Sequence, residues 1–257
     1  MASVRLYVGH DLGPGRVLAL EKGQVHYLGH VMRLGPGAVL SLFNGRDGEW
    51  RGTIEAMGRN ACSVAVHDRL RTQVAEPDLW LAFAPVKRAP IDLIAAKATE
   101  LGVAVLQPVL TRHTAVTRVN LGRLRANAIE ASEQCGRLTV PEIRAPATLE
   151  QLIAAWPADR RLLLCDETGA APPIAAALAG AGRAPGPWGV LAGPEGGFAR
   201  SELDALRKLP FVTPATLGPR ILRADTAVLA ALACWQALVG DWRGEQGAPG
   251  RAQADPH

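Results

Sequence analysis

Cysteine is scarce, four in 257 residues, and Cys62, Cys135, Cys165 and Cys234 stand far apart with no Cys-x-x-Cys pair. That spacing excludes the usual signatures of a zinc ribbon or a redox dithiol, so the four read as reduced, mostly buried small hydrophobes. Lysine is equally rare, leaving arginine to supply 24 of the 28 basic groups, and aromatic residues make up only 5% of the chain. No window reaches the roughly 18 uninterrupted apolar residues of a membrane span, and Met1 to His10 lacks the cationic and apolar regions of a secretory signal. The expected compartment is therefore the cytoplasm. Gly-x-Ser-x-Gly, Gly-Lys-Ser/Thr and His-Glu-x-x-His are absent as well, which removes the anchors of hydrolase, NTPase and zincin readings.

What is present is a globular composition, 48% apolar and 20% charged, long enough for a large domain or for a small one joined to a larger. The net charge of +4 is unevenly spread: +3 over residues 1 to 75, +2 over 76 to 145 and −1 beyond. Arginine is the better fork for phosphate, although an Ala-, Gly- and Arg-rich chain is also what a GC-rich genome produces. The bias toward the first half is compatible with an RNA partner.

Gly-Pro and Gly-Arg-Asp-Gly turns divide the first 75 residues into short β-favouring runs, Arg5 to Val8, Arg16 to Leu20, Ala38 to Phe43, Glu49 to Ala56 and Ala61 to Val66. They predict a small β-barrel, with a short helix over His26 to Leu34, apolar at Leu28, Val31 and Leu34 and ended by Gly35-Pro36. Glu76-Pro77 marks the boundary. From Leu79 the rhythm becomes strand, turn, helix, strand, the pattern of βαβ units and a parallel sheet. Strands are expected at Leu79 to Ala84, Val103 to Val109, Arg161 to Cys165, Trp188 to Ala192 and Phe211 to Thr213. Helices are expected at Ile91 to Leu101, Leu121 to Cys135, Ile174 to Ala179 and Ser201 to Leu209. A last helix, Thr226 to Val239, is apolar nearly all round and should be buried in a core or against a second subunit. The tail after Trp242 has nothing to bury, so residues 244 to 257 are expected to be disordered.

Two strand-to-helix turns carry the sharpest local signals. Gly193-Pro194-Glu195-Gly196-Gly197-Phe198 allows backbone amides to approach a ligand, with Ser201 and Asp204 as possible caps for the next helix. Leu217 to Thr226 repeats the arrangement through Gly218-Pro219, with Asp225 or Thr226 as a ready N-cap. Arg220 and Arg223 near a helix N-terminus oppose the macrodipole unless they meet an anion or carboxylate. Two such loops after successive strands belong at the carboxyl edge of a parallel sheet, where α/β ligands bind. Glu130 to Arg137 ends a helix at Gly136, and Arg137 either contacts phosphate or complements the helix end. His26 and His30 have metal-ligand spacing but no third ligand nearby, so no metal is expected.

In this order the motifs resemble the bacterial 16S ribosomal RNA (uracil-N3)-methyltransferases, the RsmE-like family of the SPOUT superfamily. The resemblance is carried by Arg5 to Val8, His26 to Leu34, Phe43-Asn44-Gly45, Lys97 to Val103, Glu130 to Arg137, Gly193 to Phe198 and Leu217 to Thr226. It implies an α/β chain: a PUA-like RNA-binding barrel over residues 1–75, then a trefoil-knotted SPOUT domain over residues 76–243. It also implies a homodimer, S-adenosylmethionine as methyl donor, and a uridine of the small ribosomal subunit, position 1498 in the decoding region, as target. Two positions depart from the family: Asp225 stands where Glu is usual, and Tyr27 where a second His is common.

By this resemblance Leu164, Gly193, Pro194, Gly196, Gly197, Leu217, Gly218, Ile221, Leu222 and Thr226 hold the cofactor. Arg5, Arg33 and Arg137 contact RNA phosphate. Arg223 stabilises negative charge spreading onto the uracil carbonyls as N3 loses its proton, and Asp225 or Glu195 either accepts that proton or orients Arg223. The alternatives are a SPOUT ribose 2′-O-methyltransferase and a non-catalytic RNA-binding assembly factor. A Rossmann dehydrogenase lacks its glycines, because Ala84 to Arg88 contains none.

Overall fold

The computed structural model describes residues 4–86, 88–116, 118–180 and 186–243. The expected disordered tail, residues 244–257, lies outside them. The chain divides into two compact units, Met1–Ala75 with Ala128–Val140, and Glu76–Asn127 with Pro141–His257. Contacts thus group Ala128–Val140 with the residues before 76.

In the first unit, β1 (Arg5–Tyr7), β2 (Val17–Ala19), β3 (Val39–Phe43), β4 (Glu49–Met57) and β5 (Cys62–Arg71) form one sheet in the order β1-β3-β4-β5-β2. The β1-β3 pairing is parallel and the others are antiparallel. Alternation along β3 to β5 turns Leu40, Leu42, Ile54, Val64 and Val66 into a core that also receives Leu6, Leu18, Val25 and Leu28. The expected helix over His26 to Leu34 begins earlier: α1 (Lys22–His26) runs directly into a π-helical turn over Tyr27–Val31. That insertion rotates the face. Leu28 is fully buried and Leu34 packs against the core, but Val31 is 61% exposed, so the three apolar positions do not share one face.

In the second unit, β6 (Leu79–Phe83), β7 (Val105–Leu110), β8 (Glu142–Ile143), β10 (Arg161–Cys165), β11 (Trp188–Ala192) and β12 (Val212–Ala215) form a parallel sheet ordered β12-β10-β11-β6-β7-β8. The short β9 (Ala147–Thr148) also pairs with β7. Strands buried on both faces read as continuous apolar runs, which is how Leu-Leu-Leu-Cys and Trp-Gly-Val-Leu-Ala appear in the sequence. The helices are α2 (Arg88–Glu100), α3 (Leu121–Cys135), α4 (Leu149–Ala154), α5 (Ile174–Leu178), α6 (Arg200–Leu206) and α7 (Ala224–Leu238).

One core gathers Leu79, Leu81, Leu163 and Val190 with Ile94 of α2 and Val228, Leu232 and Trp235 of α7. The opposite face packs Leu162, Leu164 and Leu191 against Leu152 and Trp156, with Leu203 and Leu206 of α6. The helix α4 and strands β8 and β9 had no expected counterpart. A signal for α4 was nevertheless present in Thr148-x-x-Gln151: the Thr148 hydroxyl accepts the Gln151 N–H at 3.2 Å and the Gln151 amide oxygen accepts the Thr148 N–H at 2.9 Å. No described helix is long and apolar enough to cross a membrane.

Candidate active site

Three neighbouring strands, β10, β11 and β12, end at the same edge of the sheet, and the chain leaving each contributes one wall of a cleft. The walls are Cys165-Asp166-Glu167 after β10, Gly193, Pro194, Glu195 and Gly197 after β11, and Thr216, Leu217, Gly218, Arg220, Ile221 and Leu222 after β12. Ala224 and Ala227 of α7 close the floor, and the space measures about 650 Å³ with its open mouth included. This is the ligand edge of an open parallel sheet.

The loop Gly193–Phe198 is shaped by tight packing. Gly197 sits in the left-handed region at φ 67°, and a Cβ there would come within 2.5 Å of Glu167 Oε1. A Cβ on Gly193 would lie 2.9 Å from the Phe198 ring. The Phe198 N–H donates to Glu167 Oε1 at 2.9 Å, and the Gly197 N–H donates to the Pro194 carbonyl at 2.9 Å. His113 Nδ1 lies 3.2 Å from the Gly196 carbonyl oxygen and 3.3 Å from that of Gly197, so it carries the proton in that contact. The following helix is capped by Glu202, whose Oε2 accepts the Ala199 N–H at 2.8 Å and whose Oε1 accepts the Arg112 N–H at 2.9 Å. Ser201 and Asp204, the expected caps, lie inside α6.

The segment behind Glu167 is braced in turn. Asp166 is buried, its Oδ1 accepts the Thr168 N–H at 3.0 Å and the Thr168 hydroxyl at 2.6 Å, and its Oδ2 accepts Arg207 Nε at 2.9 Å. Burial raises the Asp166 carboxyl, but the Thr168 and Arg207 hydrogen bonds outweigh it and leave the group below the usual carboxylate range. Burial, with Glu167 and Cys234 adding to it, pushes the Cys165 thiol up to about 12. Cys165 is thus a protonated, apolar wall and no nucleophile.

The loop Thr216–Arg223 is held more loosely. The Thr216 N–H donates to the Pro172 carbonyl at 2.9 Å and its carbonyl accepts the Ile174 N–H at 3.1 Å. Beyond it, among the described residues, the backbone amides of Leu217, Gly218 and Leu222 donate no hydrogen bond. Gly218 adopts φ 104° with nothing within 4 Å of a would-be Cβ. Ile221 is 96% exposed. Apolar side chains and open amides along one rim, glycines along the other, fit a ligand with a flat apolar part and a polar chain.

Of the expected cofactor residues, Gly193, Pro194, Gly197, Leu217, Gly218, Ile221 and Leu222 line this cleft, as does Glu195. Gly196 is exposed beside His113, and Thr226 is exposed in the first turn of α7, both outside the lining. Leu164 is also outside the lining: its side chain is fully buried in the core against α6, because period-two alternation turns it away from the face that Cys165 reaches. Arg223 is the exposed N-cap of α7 and Asp225, half-buried, bonds the Thr226 N–H at 2.8 Å, so the helix begins one or two residues before the expected cap. Neither belongs to the lining, whereas Arg220 does. The sequence reading missed Cys165, Asp166 and Glu167, whose one signal was their place just past an apolar strand.

Arg5, expected on RNA phosphate, serves the first unit instead. Its Nε pairs with buried Glu49 at 2.6 Å, and its remaining donors reach the carbonyls of Ser132, Glu133 and Arg137 at 2.7 to 2.9 Å. Arg71, also bound to Glu49, caps the Gly136 carbonyl at 2.7 Å. Two guanidiniums thereby satisfy the open carbonyl end of α3, where positive charge is favoured. Arg137 is half-buried with its Nη2 on the Thr139 hydroxyl at 2.9 Å. Arg33 is exposed and stands alone among the described non-glycine residues in the left-handed region, at φ 55°. His26 and His30 stack at 4.6 Å, and among the described residues no three metal-ligating side chains converge.

Comparison with known proteins divides the chain between residues 66 and 74. A model of the RNA methyltransferase domain matches residues 74–236, and one of the RNA methyltransferase PUA domain matches residues 20–66. The ribosomal RNA small subunit methyltransferase E of Rickettsia conorii is 32% identical over 89% of this chain and 93% of its own, and that of Synechocystis is 30% identical over 91% and 78%. Among solved structures, the ribosomal RNA small subunit methyltransferase E of Neisseria gonorrhoeae, bound to S-adenosyl methionine, superposes with a TM-score of 0.82 at 27% identity over 93% of this chain and 99% of that one. A Legionella pneumophila methyltransferase, also with S-adenosyl methionine bound, gives 0.81 at 28% identity over 94% and 100%. The first unit is PUA-like, the second has the SPOUT-type α/β fold, and the chain belongs to the ribosomal RNA small subunit methyltransferase E family.

Proposed function

We propose that this chain transfers a methyl group from S-adenosylmethionine to N3 of a uridine in 16S ribosomal RNA. The observation that carries the reading is the cleft at the ends of β10, β11 and β12, built from the two loops whose motifs define the family resemblance. The cofactor fits what is there: the glycines at 193 and 197 let their loop pack closely against Phe198 and Glu167, and Leu217, Leu222, Ala224 and Ala227 offer apolar surface. When bound, S-adenosylmethionine supplies an already activated sulfonium methyl, so the protein's task is alignment and deprotonation of the acceptor.

Uracil N3 holds its proton near neutral pH, and negative charge spreads to the two carbonyl oxygens as that proton leaves. A guanidinium beside those oxygens favours the transition state over the ground state, the role assigned to Arg223. Asp225 or Glu195 accepts the proton, or orients Arg223. Arg220, the cation of the cleft wall, is available to an anionic part of either ligand. Arg33 and Arg137 are assigned to RNA phosphate, and Arg5 is withdrawn from that role because its donors serve the α3 terminus. The working form is a homodimer in the cytoplasm; an apolar side chain on α7, Leu238, 41% exposed, supports pairing with a second copy.

The test is methyl transfer from labelled S-adenosylmethionine to unmodified small ribosomal subunits, followed by nucleoside analysis, with wild type and Arg223→Ala in parallel. The expected product is 3-methyluridine, falling at least about a hundredfold in the variant while cofactor affinity persists. A 2′-O-methyl product would overturn the base assignment, and an unchanged rate in Arg223→Ala would overturn the role of that arginine.

A further inference from the structure

The Gly193–Phe198 loop is held from outside by two side chains, one just past β10 and one just past β7, and no motif points to either. We propose that Glu167 and His113 are positioning residues that clamp this loop in its ligand-ready form, Glu167 from its N–H side and His113 from its carbonyl side. The inference rests on the cofactor reading above and adds how that site is kept open.

Three observations converge on Glu167. Its Oε1 accepts the Phe198 N–H at 2.9 Å, the closing bond of the loop. The same oxygen occupies the space that a Cβ on Gly197 would need, 2.5 Å away, so the glycine and the carboxylate fit one another. The carboxylate is also aimed from behind. Asp166 N–H donates to the Ala215 carbonyl at 2.9 Å, and Thr168 is tied both to Asp166 and, at 2.7 Å, to Arg207 Nη2.

On the other side, His113 is carried by the turn after β7, which is itself pinned. The Thr111 N–H donates to the Thr114 hydroxyl at 2.9 Å, and the Arg112 N–H donates to Glu202 Oε1. Its Cβ lies 3.3 Å from where a Gly196 Cβ would stand, a contact that only glycine relieves fully. A loop with three glycines over residues 193–197 is entropically expensive to order, since glycine loses more backbone freedom than any other residue. Bonds from outside the loop offset that cost before any ligand arrives, and affinity then reflects contact alone.

The test uses the full chain and S-adenosylhomocysteine as probe, with wild type, Glu167→Ala, Glu167→Gln and His113→Ala. Calorimetric affinity should fall about tenfold or more in Glu167→Ala and return to within about threefold in Glu167→Gln, whose amide oxygen accepts the same N–H. His113→Ala should fall about threefold to tenfold. In turnover, Glu167→Ala should raise KM for S-adenosylmethionine and leave kcat within about twofold, the mark of lost ground-state positioning. Hydrogen exchange on the ligand-free protein reads the clamp directly: the Phe198 amide should exchange at least about tenfold faster in Glu167→Ala and near the wild-type rate in Glu167→Gln. Unchanged Phe198 exchange in Glu167→Ala would overturn the clamp, as would unaltered affinity in that variant. Wild type that fails to bind S-adenosylhomocysteine while Phe198 exchange responds to Glu167 would sink the cofactor reading and leave the clamp standing.

Discussion

Both glycine-bearing loops of the cleft leave a parallel strand and enter a helix, yet they are held in opposite ways. Gly193–Phe198 has a side chain on each flank, and a Cβ on any of its three glycines would meet a neighbour at 2.5 to 3.3 Å. Thr216–Arg223 is tied at its first residue and then runs past Gly218 into exposed Ile221 and Arg223, with open space around Gly218. The pair divides the labour of binding: one loop is rigid and sets where a ligand stops, while the other offers free amides and an apolar side chain that a ligand can cover. Preorganisation and adaptability both cost free energy, and placing them on separate loops lets each be tuned alone.

The sharpest way to break this contrast is to add the same methyl group to each loop. Gly197→Ala imposes a side chain at φ 67° and displaces Glu167, so cofactor affinity should fall about a hundredfold or more by calorimetry. Gly218→Ala imposes backbone strain without a clash, and the fall should stay near tenfold. Equal losses would mean that the loops are held alike.

Removing the brace behind the rigid loop comes next. Asp166→Asn should destabilise the protein by about 2 kcal/mol near pH 7 in denaturant unfolding, because a buried group that bonds Arg207 and Thr168 loses its charge. The sign of the pH dependence follows from a folded carboxyl held below its unfolded value. Its contribution is complete above the ordinary carboxylate value of about 3.9 and is lost as pH falls through the lower folded value. Wild type should therefore lose more stability than Asp166→Asn on acidification below about pH 4. A pH-independent difference between the two would remove the ionic part of this account.

On the open loop, Ile221→Ser should leave unfolding unchanged within about 0.5 kcal/mol, since Ile221 is almost wholly solvated. Its cofactor affinity should drop by about threefold to tenfold if the ligand covers that side chain. The smallest effect is expected at Cys165. With its thiol near 12, it should resist alkylation at pH 8 while exposed Cys135 reacts, as mass mapping of a short pulse would read.

Much of the fold was legible because its signals are local. Short β-runs between glycine turns gave the five strands of the first unit, and the strand-helix rhythm gave the parallel sheet, since each rests on side-chain periodicity and turn chemistry within a few residues. Gly193 to Gly197 and Leu217 to Leu222 stood out for the same reason. The place of Arg5 was not legible, because the carbonyls that accept three of its hydrogen bonds lie more than 120 residues away, at the end of a helix whose second half joins the first unit. Leu164 and Cys165 differ by one residue, enough on a strand to move a side chain from the cleft edge into the core.

The sequence alone therefore determined most element types, the two sharp turns, the family and the chemistry that family performs. Tertiary structure decided which of the neighbouring residues face the ligand and what holds them there. Glu167 and His113 have no distinguishing neighbours in sequence; they become a pair because β7, β10 and β11 end at one edge of the sheet, and strand order is a long-range property that no local pattern encodes.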